Sequence, residues 1–451
     1  MNDLLSKYNL PIPRYTSYPT VPSWYSFENK TRWANTFKES FDKNKTAGIS
    51  LYIHLPFCES LCTYCGCNKK ITTNHSVEEI YIAAVLKEWQ LYCELISEPP
   101  VIRELHLGGG TPTFFSPQNL NKLLQSIFNS SIIHTDHEFS IEGHPNNTTE
   151  EHLKTLSELG FKRISFGVQD TDANVQKIIN RIQPFENVQR GTEAARKHGF
   201  ESVNFDLIYG LPLQTIESIQ RTVRQCISLQ PDRIAFYSYA HVPWTSKAQR
   251  LFDENDLPSA AEKLALYTTG KEIFLANGYH DIGMDHFALE KDKLYKAWMK
   301  KELHRNFMGY TTQKTNILIG LGVSAISDTG NAFAQNDKLL HNYYQAIGKN
   351  ELAVVKGYYL NDEDSVFRKY ILNISCMGKT SFHPQYFHLL QQYTFPELEK
   401  LASDNLIEWN EQGLIVTKTG RNFIRNICSA FDLHYLKKEK ISTQPMYSKA
   451  I

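Results

Sequence analysis

Between residues 48 and 240 the apolar positions switch repeatedly between two periods. Short runs rich in β-branched and aromatic residues, at 49–53, 104–107, 139–142, 163–168, 202–208 and 233–237, predict strands. The segments near 77–96, 117–128, 149–159, 173–180, 185–198 and 215–229 space their apolar residues three and four apart and predict amphipathic helices. Six βα units in succession imply an α/β fold with a parallel sheet and right-handed crossovers. Six units rather than eight point to an incomplete TIM-like barrel, (βα)6. In such sheets the functional groups gather at the C-terminal ends of the strands.

The flanks differ. Residues 1–47 hold Pro11, Pro13, Pro19 and Pro22 among tyrosines. These prolines block continuous helix and central strand, so an irregular arm is expected, aromatic-rich and without the charged bias of a disordered tail. Past the sixth strand, the runs 282–287 and 303–313 bracket a charged helical stretch at 289–302. The glycine-rich apolar run 317–327 follows, lacking GxGxxG spacing and any phosphate motif. From about Leu352 the pattern is helices with a hairpin around Asn410 to Gly413, winged-helix-like but not strongly basic. The expected division is a substrate-covering arm over 1–47, a catalytic partial barrel over 48–350, and a mostly helical C-terminal domain over 351–451.

The chain of 451 residues, 41% apolar, is long enough for a large core plus smaller pieces. Lys+Arg and Asp+Glu balance at 48 each, which argues against nucleic acid as a partner and leaves charge selectivity to local groups. No basic segment followed by an apolar one opens the chain, and no run of ~18 apolar residues occurs, so neither secretion nor a membrane span is expected. A cytoplasmic, reducing setting follows, in which the eight cysteines are not expected to form a disulfide framework. The 24 Tyr and 25 Phe read first as core, with a flat aromatic ligand as the other use. With no obvious heptad or exposed stripe, a monomer is expected.

Four of the cysteines, Cys58, Cys62, Cys65 and Cys67, fall within ten residues. A zinc ribbon would need a second CxxC pair, but Cys93, Cys226, Cys376 and Cys428 are solitary. The CxxxCxxC spacing suits three thiolates on a 4Fe-4S cluster, which normally takes four cysteines, so one iron is left open to a small molecule. The other predicted strand tips carry Gly108-Gly109-Gly110-Thr111, Glu142-Gly143-His144-Pro145-Asn146, Gln169-Asp170, Asp206 to Pro212, and Tyr239-Ala240-His241. The glycines let backbone N–H groups approach a ligand closely. Polar residues at successive tips are hard to explain by packing.

The CxxxCxxC stretch resembles the radical S-adenosylmethionine (SAM) signature. Over nearly its whole length the chain resembles the oxygen-independent coproporphyrinogen III oxidases. The resemblance rests on Arg14 to Thr20, Tyr52 to Cys67 with its Cys-Gly-Cys-Asn ending, Gly108 to Thr113, Gly167-Val168-Gln169-Asp170, Asp206 to Pro212, Gly283-Met284-Asp285-His286-Phe287, His304 to Gln313, and Arg425-Asn426-Ile427-Cys428. It implies one 4Fe-4S cluster on Cys58, Cys62 and Cys65, with Cys67 outside the ligand set, and two SAM molecules. Carried over by position, Tyr52, Gly109, Glu142 and Ile326 would contact the first SAM. Tyr64, Gly110, Thr111, Gln169, Arg181, Asp206 and Ala240 would contact the second. Glu142 and Asp206 suit ribose hydroxyls or ammonium groups, and Arg181 a methionine carboxylate; taken alone, Arg181 reads as a helix-end arginine. The chain departs from the family at His144-Pro145-Asn146, where Asp-Pro-Arg is common, at Leu107, where tryptophan is usual, and at Ser375-Cys376-Met377-Gly378, where the family tends to carry Cys-Asn-Phe.

The activity implied is decarboxylation of two propionates of coproporphyrinogen III to vinyls by a 5′-deoxyadenosyl radical, giving protoporphyrinogen IX in haem biosynthesis. Flavodoxin or ferredoxin would be the reductant. Four substrate carboxylates need local cations, for which Arg14 and Arg305 are candidates, each alone reading as an ordinary structural arginine. Two other readings stay open: a paralogous radical SAM enzyme acting on haem or another tetrapyrrole, for example by methyl transfer, and a haem-binding or haem-delivery protein.

Overall fold

The structure, a computed structural model, describes residues 2–244 and 246–437. All six predicted strands are present: β1 (Ile49–Leu55), β2 (Val101–Gly109), β3 (Ile132–Gly143), β4 (Phe161–Gln169), β5 (Ser202–Tyr209) and β6 (Arg233–Ser238). They pair in parallel and in sequence order. A seventh parallel strand, β7 (Leu318–Leu321), joins the free side of β1, with Gly320 opposite Tyr52. It lies in the run whose glycines hide the strand pattern. Gly320 is required there because a Cβ would overlap the backbone of Ile326, in the strand that folds back on β7. Antiparallel strands extend both edges, so the sheet counts thirteen strands and the barrel stays open.

The predicted helices occur as Val77–Glu94, Pro117–Phe128, Glu150–Glu158, Ala173–Ile178, Phe185–Lys197 and Ile216–Ser228. Two of them share the β4–β5 connection. The helix after β6, Ala260–Ala276, was not expected, because its apolar residues are spread around its circumference and make no stripe. Helix starts carry the chemistry that orphan N–H groups need: Thr149 and Thr215 form reciprocal capping boxes, and the Ser116 side chain accepts from Asn119 N–H.

Strand residues alternate between two environments. Leu51, Ile53, Leu105, Leu107, Phe139, Ile141, Ile164, Phe166, Val203 and Phe205 face the helices and form the main core. Their neighbours face the barrel interior, which is polar. Near its floor, Glu104 accepts from Ser50 at 2.6 Å and from Thr311 at 2.5 Å, Arg163 pairs with Glu138 at 3.1 Å, and Arg233 pairs with Asp292 at 2.7 Å.

The arm is partly helical. Residues 9–29 hold only a 3-10 turn at Val21–Ser23 and the short strand Tyr25–Ser26, but Lys30–Asn44 is a helix capped by the Asn29 side chain. The prolines end at Pro22, so nothing bars helix beyond them. Trp33, Phe37 and Phe41 enter the main core. Tyr8, Ile12, Tyr15 and Tyr18 instead enter the C-terminal core with residues such as Phe367 and Ile427. That region carries the strands Lys379–Ser381, Ile407–Asn410 and Gly413–Val416 in one antiparallel sheet with helices around it. The strand Val354–Tyr359, past the expected boundary at residue 350, belongs to the barrel sheet. Among the described residues no helix is long and apolar enough to cross a membrane.

Candidate active site

The cysteine loop leaves the C-terminal end of β1 and is fastened at both ends. Lys70 N–H donates to Pro56 O at 2.8 Å and Thr72 N–H to Cys58 O at 2.9 Å, closing the loop at its base. Farther out, Thr63 N–H donates to Ile179 O, Asn180 to Leu61 O and Gln249 to Tyr64 O. Thr111 Oγ1 donates to Cys58 Sγ at 3.3 Å, and Arg181 Nη1 approaches Cys62 Sγ at 3.5 Å. Among the described residues, no three His, Cys, Asp or Glu side chains gather as a single ion would need. Cys58, Cys62, Cys65 and Cys67 instead line a cavity of about 400 Å³. Thiolates around a cavity, beside a guanidinium whose buried Nε has no hydrogen-bond partner, fit a bulky anionic cluster with a ligand on it.

Two cavities meet at this loop. The one just described also bears Tyr64, Gly110, Thr111, Gln169, Arg181 and Asp206. The other, about 500 Å³, bears Tyr52, Gly109, Glu142 and Ile326. Gly109, Glu142 and Cys67 belong to both walls. Of the residues expected around the first cofactor, Tyr52 and Ile326 line only the cavity of about 500 Å³, the first cavity, while Gly109 and Glu142 line both; those expected around the second cofactor, apart from Ala240, line only the cavity of about 400 Å³, the second cavity. Ala240 lies on neither of these walls; its carbonyl accepts from Gln249, the residue that also holds Tyr64 O.

The glycines at the end of β2 make the shared wall thin. Gly109 has φ +119°, and a Cβ there would stand 2.8 Å from the His54 ring. At Gly110 a Cβ would stand 2.6 Å from the Pro56 carbonyl. Gly109 N–H donates to Glu142 at 3.2 Å, and His106 Nε2 lies 3.4 Å from the same carboxylate. Burial would raise the Glu142 pKa, but His106 and Gly109 N–H hold it below its usual range. Asp206 moves the other way, to about 6, through burial and then the Glu142 charge, against hydrogen bonds from Ser165 at 2.9 Å and Asn204 at 2.8 Å. His106, Ser165 and Asn204 carry no sequence motif; their signal is the polar residue at alternate strand positions. Gln169 sits at φ +66°, a strained conformation that turns the chain at the tip of β4.

Arg14 and Arg305 lie away from these cavity walls. Arg14 donates to Ser238 O at 3.0 Å, at the end of β6, and covers the Tyr237 ring. Arg305 is buried over the Tyr310 ring at 4.7 Å. Of the departures, His144 lines the second cavity and is held neutral by burial and the Arg181 charge, while Leu107 faces the core. Ser375 O accepts from Tyr310 OH at 2.7 Å.

An open parallel barrel with a CxxxCxxC run in the loop after its first strand defines a class. Residues 52–226 match the radical SAM superfamily. The oxygen-independent coproporphyrinogen III oxidase of Pseudomonas aeruginosa is 39% identical, with 98% of this chain and 97% of the relative covered. That of Escherichia coli K12 is 37% identical over 97% and 96%. The solved coproporphyrinogen III oxidase of Escherichia coli, a radical SAM enzyme, superposes with a TM-score of 0.87 at 36% identity, covering 94% of this chain and 100% of that one. The chain belongs to the oxygen-independent coproporphyrinogen III oxidase family.

Proposed function

We propose that this chain converts coproporphyrinogen III to protoporphyrinogen IX without oxygen, in haem biosynthesis. Each of two propionates, ring–CH2–CH2–COO⁻, becomes a vinyl by losing one hydrogen atom, carbon dioxide and one electron. The observation that carries the mechanism is the pair of cavities sharing Gly109, Glu142 and Cys67. Cys58, Cys62 and Cys65 would hold the 4Fe-4S cluster, and the two cavities would each hold one SAM. When bound, cluster and SAM supply the electron and the radical oxidant that takes the hydrogen atom.

The chain's own residues bind, orient and exclude water. Glu142, kept ionised by His106 and Gly109 N–H, can accept from an ammonium or ribose hydroxyl in the first cavity. Asp206, fixed by Ser165 and Asn204, can do the same in the second, where Arg181 can meet a carboxylate. The hydrogen-bonded residues of the barrel floor close the site from below, which protects a reactive radical from solvent. Flavodoxin or ferredoxin serves as reductant of a monomeric enzyme.

The test is anaerobic turnover of the reconstituted protein with coproporphyrinogen III, SAM and reductant. Protoporphyrinogen and 5′-deoxyadenosine should form together. Deoxyadenosine without decarboxylation would sink the proposal in favour of a paralogue acting on another tetrapyrrole.

A further inference from the structure

Beyond β6 the barrel interior continues into a wall of rings ending in cations. Arg14 lies 5.8 Å from the Tyr237 ring, Tyr237 lies 5.8 Å from His286, His286 lies 5.3 Å from Tyr310, and Arg305 lies 4.7 Å from Tyr310. Arg425 joins from the C-terminal region, donating to the carbonyls of Ile12 and Pro13 beside Arg14. Asp285 feels the positive charge of Arg14, Arg425 and Arg305. His286 adds no further positive charge, being held neutral by burial and by Arg305. Asp281 also reaches this place but is paired with Lys271 at 2.6 Å, so three guanidinium groups against Asp285 leave an excess of two positive charges around the buried Arg305. Arg305 is 7% exposed, and its Nε and Nη1 have no hydrogen-bond partner among the described residues. A buried guanidinium in that condition is costly unless an anion completes it, and carboxylate is the anion its fork matches.

We infer that Arg305, with Arg14 and Arg425, binds the two substrate carboxylates that survive the reaction. This rests on the activity proposed above. A cation pinned to a carboxylate stabilises the anion in the ground state and opposes its loss as carbon dioxide. Guanidinium groups therefore suit the propionates that persist. The reacting ones belong toward the cofactor cavities, where the fixed acids are Glu142 and Asp206. The excess of two charges equals the number of propionates left over. Tyr237 connects the two regions, since it feels Asp206 on one side and Arg14 and Arg305 on the other.

The test compares coproporphyrinogen III, a tetracarboxylate, with the monovinyl tricarboxylate formed after the first decarboxylation. In Arg305→Gln and Arg14→Gln, each checked for wild-type cluster absorption, KM should rise about tenfold or more. It should rise by the same factor for both substrates, because both still carry the surviving pair. Arg305→Lys, keeping charge but not the fork, should fall between wild type and Gln. An unchanged KM overturns the inference. So does a rise confined to the tetracarboxylate, which would mean that the arginines hold a reacting propionate. Failure of the wild-type protein to decarboxylate either compound would instead fail the proposed activity, independently of the variants.

Discussion

Cys67 stands on the wall shared by both cavities, two residues past Cys65 and exposed, while Cys62 is buried and Cys58 and Cys65 are half-buried. A fourth thiolate on the cluster would close the iron that the cofactor needs. Cys67→Ser should therefore keep the visible absorption of the reconstituted cluster, whereas Cys58→Ser, Cys62→Ser and Cys65→Ser should each abolish it. Bleaching in Cys67→Ser would refute this ligand set. At this scale the sequence shows what clusters locally or sits at strand tips: the cysteines, the glycine triplet, Glu142 and Asp206. Arg305, Asp285 and Arg425 come together only through the fold, from positions more than a hundred residues apart at the extremes. Asp285 and Arg425 lie in runs that look distinctive but carry no recognisable chemistry on their own.

Among elements, β7 decides the shape of the first cavity. Its hairpin with Ile326–Asp328 puts Ile326 on that wall, and Gly320 lets the two strands approach. Gly320→Ala would drive a methyl group into the Ile326 backbone, which cannot swing aside as a side chain could. SAM affinity should fall at least tenfold while the cysteine loop still takes up a cluster; unchanged SAM binding by equilibrium dialysis would count against the placement of Ile326. Alternation of strand and helix made β1 to β6 legible, since each of β1 to β5 is followed by an amphipathic segment and β6 follows the last of these. β7 is short, contains glycine and follows an insertion, so its period never repeats. Helix Lys30–Asn44 was obscured for a different reason: the prolines before it coloured the whole arm.

The whole molecule carries buried acid in its barrel floor. Burial pushes Glu104 to about 7, against the hydrogen bonds from Ser50 and Thr311. The folded protein thus holds this proton more tightly than the unfolded chain, whose carboxyl titrates near 4.5. That contribution is full below about pH 4.5 and is lost as pH rises through about 7. Glu104→Gln keeps an acceptor for both hydroxyls and removes the titration. The fall in urea-unfolding stability between pH 5 and pH 8 should shrink by on the order of 3 kcal/mol. Equal slopes in wild type and variant would exclude Glu104 as a source.

The arm is fastened from the far end of the chain. Arg14 meets the barrel at Ser238 and Tyr237, but many contacts of the first eighteen residues come late: Lys7 and Tyr8 to Asp404, Ile12 and Pro13 to Arg425, Tyr8 to Asn426, Tyr15 to Asp432, and Tyr18 to Leu433. On the ribosome the arm is made before the barrel and its partners at 404–433 after it. Throughout synthesis of the barrel, the cysteine loop exists before the arm can be fixed by those partners. The order of translation itself thus lets the barrel strands pair before the protein finishes fastening its arm.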